Sequence, residues 1–190
     1  FDMKSSRALG EEIIKAGGKP VLWKTGHSYI KEKLHELGAP LAGEMSGHIF
    51  FGRPDYYGFD DAVFTALKMI ELLSRSQKTF SQLVAEIPNY VSTPTLQANC
   101  KDELKYNIVI ELVNAFKAEG YDVITFEDLK LGGRVEFEYG WGLVRASSNL
   151  PCLVLRLDAK TREQLGQIHQ LFRQKLRPYS QVSQAWQNGC

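Results

Sequence analysis

Charge of one sign is what the 190-residue sequence most lacks: 23 Lys and Arg stand against 22 Asp and Glu, for a formal net charge of +1. A strongly basic face is the electrostatic footprint of a nucleic-acid binder. No such footprint exists here, so nucleic acid is not an expected partner, and any bound anion has to be gripped locally. Long apolar runs are missing as well. None approaches the roughly 18 residues a membrane-spanning helix needs, so no membrane partner is expected either. Cysteine is scarce: Cys100, Cys152 and Cys190 are odd in number, widely spaced and without a Cys-x-x-Cys pair. That excludes a disulfide framework and a standard zinc site, and points to a reducing, cytoplasmic setting. An initiator Met and a basic-then-apolar signal pattern are also lacking, and Phe1-Asp2-Met3-Lys4 reads as the end of a strand, as if cut from something longer. What is present, 44% apolar residues at low net charge, suits a globular chain of one or two domains.

The periodicity gives the organisation. Ser5 or Ser6 can cap a helix that Gly17-Gly18 stops. Pro20 to Trp23 reads as a short strand, and Ile30, Leu34 and Leu37 mark a helix closed by Gly38 and Pro40. Strand, helix, strand, helix in forty residues argues for right-handed crossovers and a mostly parallel sheet covered by helices. Leu41-Ala42 and Ile49-Phe51 flank a polar loop. Val63, Leu67 and Ile70 recur at helical spacing between Asp60 and Ser74, and a Thr79/Gln82 capping box opens another helix. A boundary is placed at 86–92, around Ile87-Pro88-Asn89. Beyond it Val91–Ala98 is strand-like, and a helix over 102–119 aligns Val109, Leu112, Val113 and Phe116. Strands are predicted at 123–126, 135–139, 143–144 and 152–157, with turns such as Gly132-Gly133. A last helix from a Thr161/Gln164 box buries Leu165, Ile168 and Phe172. This half is an α+β module with an antiparallel sheet packed on helices. The tail, 179–190, is expected to fray.

Ligands of open parallel sheets collect at the carboxyl ends of the strands. Lys4, the run Lys24-Thr25-Gly26-His27-Ser28 and the loop Gly43-Glu44-Met45-Ser46-Gly47-His48 all fall there. Glu44, Ser46 and His48 alternate, so an extended backbone points all three the same way. A carboxylate accepts from vicinal sugar hydroxyls, and imidazole donates, accepts or moves a proton. Phosphate would use Lys4, Lys24 or His27. Glu44, His27 and His48 match no standard metal-ligand spacing. In the second half, Arg145-Ala146-Ser147-Ser148-Asn149 offers a guanidinium fork, hydroxyls, an amide and free backbone N–H groups. That is either a phosphate cradle or a polar turn with a surface Arg.

Four motifs, Phe1-Asp2-Met3-Lys4-Ser5-Ser6, Trp23 to Ser28, Gly43 to His48 and Gly140 to Asn149, together resemble the C-terminal part of the α-D-phosphohexomutase superfamily, closest to its bacterial phosphomannomutase/phosphoglucomutase branch. The resemblance covers residues 1–178. Met45, where phosphoglucosamine mutases tend to carry Gln, favours hexose over hexosamine. The resemblance implies that residues 1–86 are the later part of a three-layer αβα domain III bearing the sugar-recognition loop. Residues 92–178 would be the phosphate-binding domain IV. Glu44, Met45, Ser46, Gly47 and His48 would recognise the sugar, with Glu44 on the 3- and 4-hydroxyls. Lys4 and His27 would contact the substrate near its reacting end, and His48 or His27 would aid proton transfer. Arg145, Ala146, Ser147, Ser148 and Asn149 would hold the non-reacting phosphate.

The implied parent is an isomerase-class phosphotransferase that interconverts hexose 1- and 6-phosphates, of mannose or glucose, through a hexose 1,6-bisphosphate. It is a phosphoprotein that depends on Mg²⁺. Its phosphoserine and Asp-x-Asp-x-Asp metal loops are not in this sequence and are assigned to upstream domains, so the isolated chain is expected to be inactive. The phosphate loop departs from the usual Arg-Ala-Ser-Asn-Thr by placing Ser148 and Asn149 last. A free-standing sugar-phosphate-binding module without catalysis is the alternative, and a scaffold without ligand a third.

Overall fold

Ser6 turns the end of the first extended segment into a helix: its hydroxyl accepts from the Ala8 amide at 3.4 Å and opens α1 (Arg7–Lys15). The computed structural model describes residues 1–189; Cys190 lies outside the described residues. The chain divides between Asn89 and Tyr90 into two units, a break inside the 86–92 interval.

In the first unit Gly26 leads into α2 (His27–Leu37), which Gly38 ends in the left-handed conformation at φ 57°. Ile30 and Leu34 are buried, with Phe50, in a small core that Trp23, Ala39 and Ala42 pack against. Leu37, expected on the same face, is instead 50% exposed, at the last helical residue and outside that cluster. The antiparallel pair β1 (Leu41–Gly43) and β2 (Ile49–Phe51) follows.

Residues 1–3 lie between β1 and the segment around Trp23. The Trp23 N–H donates to the Phe1 carbonyl at 2.8 Å, and the Asp2 N–H donates to the Gly43 carbonyl at 3.2 Å. The parallel sheet expected here is therefore narrow: its parallel part is the single bridge Asp2–Trp23, and the longest ladder in this unit is antiparallel. Pro20 brings no N–H, and the turn at Gly26 begins three residues after Trp23, which leaves little room for a ladder. Asp61 caps α3 (Ala62–Arg75) by accepting from the Phe64 amide at 2.9 Å. The expected Thr79/Gln82 box is complete at α4 (Phe80–Ala85). Val63, Leu67 and Ile70 keep their helical spacing but are exposed, and α3 buries no residue.

In the second unit the expected single strand over 91–98 is two, β3 (Val91–Ser92) and β4 (Leu96–Asn99), both antiparallel to one central strand. Pro94 lies in the gap and cannot donate to a ladder. α5 (Asp102–Ala118) is followed by β5 (Asp122–Thr125), a 3-10 turn at Leu129–Leu131, β6 (Gly133–Phe137), β7 (Gly140–Ala146), β8 (Cys152–Ala159) and α6 (Arg162–Leu176). The antiparallel sheet runs β5-β6-β7-β8-β4, with β3 also on β8.

One face of this sheet packs on both helices. Val135, Val144, Leu153, Leu155 and Leu157 meet Val109, Leu112, Val113 and Phe116 of α5 and Ile168 and Phe172 of α6. The Phe116 and Phe172 rings are 5.1 Å apart. Each such side chain contributes about 1.5–3 kcal/mol on burial, and this cluster is the core of the second unit. The tail does not fray over its described part. Val182 is buried at 3%, the Ser183 amide donates to the Asn99 carbonyl at 2.7 Å, and β9 (Gln187–Asn188) pairs with β4. Apolar Val182 and Trp186 anchor a stretch whose Gln and Ser content suggested none.

Candidate functional site

The predicted sugar loop closes as a hairpin turn rather than an extended segment. The Glu44 N–H donates to the His48 carbonyl at 2.9 Å, and Gly47 at φ 95° supplies the left-handed step. The alternation of Glu44, Ser46 and His48 therefore does not set one common face. Glu44 is buried at 7%, while Met45, Ser46, Gly47 and His48 are exposed. What joins this loop to its neighbour is the Glu44 carboxylate, whose Oε1 accepts from the Gly26 amide at 2.6 Å. That bond draws the 24–28 segment onto the hairpin, and the His27 and His48 rings come to 6.3 Å between centroids. Lys24 lies 5.5 Å from the Trp23 ring and 5.5 Å from the Tyr29 ring. Lys4, its side chain only 12% exposed, stands 3.7 Å from the Asp2 carboxylate.

His48 has a partner outside the predicted motifs. Its Nδ1 is 2.6 Å from Asp60 Oδ2, and Asp60 is held opposite Phe50 by an antiparallel bridge. The hydrogen bond from His48 is the main cause that keeps the Asp60 carboxyl below its usual range. A cleft of about 600 Å³ opens beside this pair, bordered by Ser46, Gly47, His48, Asp60, Thr65 and Met69. Its size is that of small-ligand sites.

In the second unit the predicted phosphate loop joins β7 to β8. Arg145 and Ala146 are its last strand residues, and Arg145 Nη1 donates to the Ala146 carbonyl at 3.1 Å. Ser147 is buried at 7%. Its hydroxyl accepts from the Leu150 amide at 3.1 Å and from the Asn149 amide at 3.4 Å, which commits it to shaping the turn. Ser148 and Asn149 are exposed, free to face an anion. Behind Arg145, a Cβ placed on Gly132, at φ 97°, would collide with the Val144 carbonyl and come within 2.5 Å of the Arg145 Cβ. Lys105 of α5, exposed by only 2%, ties down the far end of the loop. Its Nζ donates to the Leu150 carbonyl at 3.1 Å and to Asp102 Oδ1 at 2.6 Å.

Asp2, Asp60 and Lys105 were not legible as site residues. Lys105 left one signal: it precedes Ile108, Val109 and Leu112 on the buried stripe of α5, where a lysine needs a polar partner. Asp2, fully buried between Phe1 and Met3, left a similar one. Among the described residues, no group of three or more His, Cys, Asp or Glu side chains is placed to hold a metal ion. No helix among the described residues is long and apolar enough to cross a membrane.

Comparison with known proteins agrees with the motifs. Residues 1–90 match the family described as phosphoglucomutase/phosphomannomutase, alpha/beta/alpha domain III. The chain is 44% identical over 177 residues to the phosphomannomutase/phosphoglucomutase of Pseudomonas aeruginosa PAO1, covering 93% of this chain and 37% of that protein. It is 40% identical over 176 residues to a phosphoglucomutase of Neisseria gonorrhoeae, covering 91% and 37%. The crystal structure of a phosphoglucomutase/phosphomannomutase family protein from Burkholderia thailandensis superposes with a TM-score of 0.79 at 42% identity, over 93% of this chain and 36% of that one. The chain thus spans little more than a third of the length of the curated relatives it matches. With the fold, the hairpin loop and these similarities in agreement, residues 1–90 belong to the phosphoglucomutase/phosphomannomutase domain III family, and the chain is similar over 93% of its length to proteins of that name.

Proposed function

We propose that this chain is the substrate-recognition part of a phosphohexose mutase, a cytoplasmic enzyme that interconverts hexose 1-phosphate and hexose 6-phosphate through a bisphosphate. The observation that carries this reading is the Glu44–Gly26 hydrogen bond, which gathers Glu44, His27 and His48 at one edge of the first unit. One Glu44 oxygen is engaged by the Gly26 amide, and the other is the acceptor offered to vicinal hydroxyls. His48, tethered through Nδ1, presents Nε2 to a substrate oxygen and can take or return its proton. In the second unit, Arg145 with Ser148 and Asn149 suits the phosphate that does not react. A hexose held by that phosphate can bind in two orientations, so that either its 1- or its 6-oxygen meets the phosphoryl donor.

The phosphoryl donor and the Mg²⁺ that neutralises developing charge in such transfers belong, on this reading, to other parts of the protein. That relatives are phosphomannomutase/phosphoglucomutase and phosphoglucomutase enzymes supports mannose and glucose phosphates as the substrate class. The 190-residue chain alone is therefore expected to bind glucose 1-phosphate or mannose 6-phosphate weakly and to turn over neither. NMR titration, following the His48 ring and the Ser148 and Asn149 amides, checks binding, and a coupled mutase assay checks turnover. Shifts at these groups with no turnover support the reading. Appreciable turnover overturns the division of labour, and absence of any shift overturns ligand recognition.

A further inference from the structure

Asp2 is fully buried, with a relative exposure of 0%, and both of its carboxylate oxygens are in use. Oδ1 accepts from the Ser5 hydroxyl at 2.8 Å and from the Met45 amide at 3.1 Å. Oδ2 accepts from the Thr25 hydroxyl at 3.0 Å and faces Lys4 Nζ at 3.7 Å. A buried carboxylate costs several kcal/mol unless it is paired and hydrogen-bonded, and here every partner sits at a chain segment named above. Lys4 is itself one of the expected substrate contacts. Thr25 precedes Gly26, the donor to Glu44, and lies two residues before His27. Met45 follows Glu44 within the turn. The sequence separations, 23 residues to Thr25 and 43 to Met45, mean that these bonds are not local capping.

We infer that Asp2 is the positioning residue of the sugar-recognition edge, a latch whose one carboxylate sets the register of the Lys4, Thr25–His27 and Glu44–His48 segments against each other. This rests on the proposed recognition of a hexose phosphate by those segments. Asp2 itself touches no substrate. Its effect reaches the ligand through Lys4, through Met45 to Glu44, and through Thr25 to Gly26 and His27. A fold-only role needs no carboxylate with four neighbours at this point, since the Phe1–Trp23 and Asp2–Gly43 backbone bonds already seat the segment. Misplacement of groups by an ångström is enough to weaken substrate engagement about tenfold or more.

The test compares Asp2→Ala, Asp2→Asn and Thr25→Val. Asparagine keeps an acceptor for Ser5 and Met45 and offers its amide to the Thr25 hydroxyl, but it loses the negative charge that faces Lys4, so it should rescue only part of what alanine loses. In the 190-residue chain, amide hydrogen exchange at Met45 is expected to accelerate about tenfold in Asp2→Ala while α2 keeps its protection. Thr25→Val should move the Met45 amide in the same direction and less. In the intact mutase that carries this chain, the KM for hexose phosphate should rise about tenfold in Asp2→Ala, with kcat changed less and Asp2→Asn falling between alanine and wild type.

If Asp2→Ala does not fold, Thr25→Val alone carries the test through the same two readouts. Unchanged Met45 exchange overturns the latch, and unchanged KM despite lost protection overturns its positioning role. A wild-type protein that neither binds nor turns over hexose phosphates overturns the functional reading and the sugar-positioning role with it. The exchange data show which of the two failed.

Discussion

His48 Nδ1 lies 2.6 Å from Asp60 Oδ2, and the direction of that contact decides which imidazole nitrogen is available. A carboxylate only accepts, so in the neutral ring the proton sits on Nδ1 and Nε2 is the basic nitrogen. Nitrogen-15 shifts should report the Nδ1–H tautomer in the wild-type chain and a mixture in Asp60→Ala. The Asp60 carboxyl, held low chiefly by the His48 bond, should titrate higher in His48→Ala. By linkage, the stability this pair contributes is present above the ordinary carboxylate value and fades as pH falls through the depressed one. If the proposed mutase function holds, Asp60→Ala should lower turnover of the intact protein by about tenfold or more.

Lys105 is expected to matter for stability and for the phosphate loop together. Lys105→Met keeps the apolar stem but removes the lysine's hydrogen bonds to Asp102 and to the Leu150 carbonyl, which retains only the Cys152 amide, at a cost of about 1–3 kcal/mol by urea unfolding. The hydrogen bond to Asp102 is the first cause that holds the Lys105 ammonium above its usual range. Its contribution is therefore present below the ordinary lysine value and is lost as pH rises through the elevated one. The alkaline limb of the stability profile should flatten in the methionine variant.

Gly132→Ala tests the support behind Arg145. The added methyl meets the Val144 carbonyl and the Arg145 Cβ at a positive φ, which should cost about 1–3 kcal/mol and displace the guanidinium. Inorganic phosphate, titrated by NMR, should then shift Ser148 and Asn149 less than in wild type.

The tail gives a fourth test. The Trp186 ring meets His169 edge to face at 5.0 Å and Arg173 at 4.6 Å, and Arg173 Nη1 donates to the Gln184 carbonyl at 2.7 Å. Burial first, then Arg173, pushes the His169 imidazole below its usual range. Stability should therefore fall as pH drops from the ordinary histidine value towards the depressed one, and His169→Gln should remove that slope. Val182→Ala should cost about 1–2 kcal/mol.

The periodicities that survive in the structure are those with a local cause. The Ser6, Thr79 and Thr161 caps, the Gly38 stop and the α5 stripe from Val109 to Phe116 are properties of a few adjacent residues. Each could be read directly. The loop from Gly43 to His48 was legible as a motif, but its shape was not, because Gly47 turned an alternating pattern into a hairpin. Asp2, Asp60 and Lys105 stayed hidden because the partners that tie them to the loops, Thr25 and Met45 for Asp2, His48 for Asp60 and Leu150 for Lys105, lie 12 to 45 residues away in sequence. Spacing rules describe neighbours on one element. The exposed Val63, Leu67 and Ile70 show the converse limit, since a helical period fixes a face without fixing what covers it.

β9 lies along β4 with Leu96 opposite Asn188 and Gln97 opposite Gln187. Without it, part of the β4 edge would present unpaired N–H and C=O groups, a template for strands from other molecules. Two polar residues from the chain's own end occupy that template. A chain shortened before Gln187 should therefore differ from the wild type less in its fold than in its colloidal behaviour, forming edge-to-edge aggregates at concentrations where the longer chain stays dispersed.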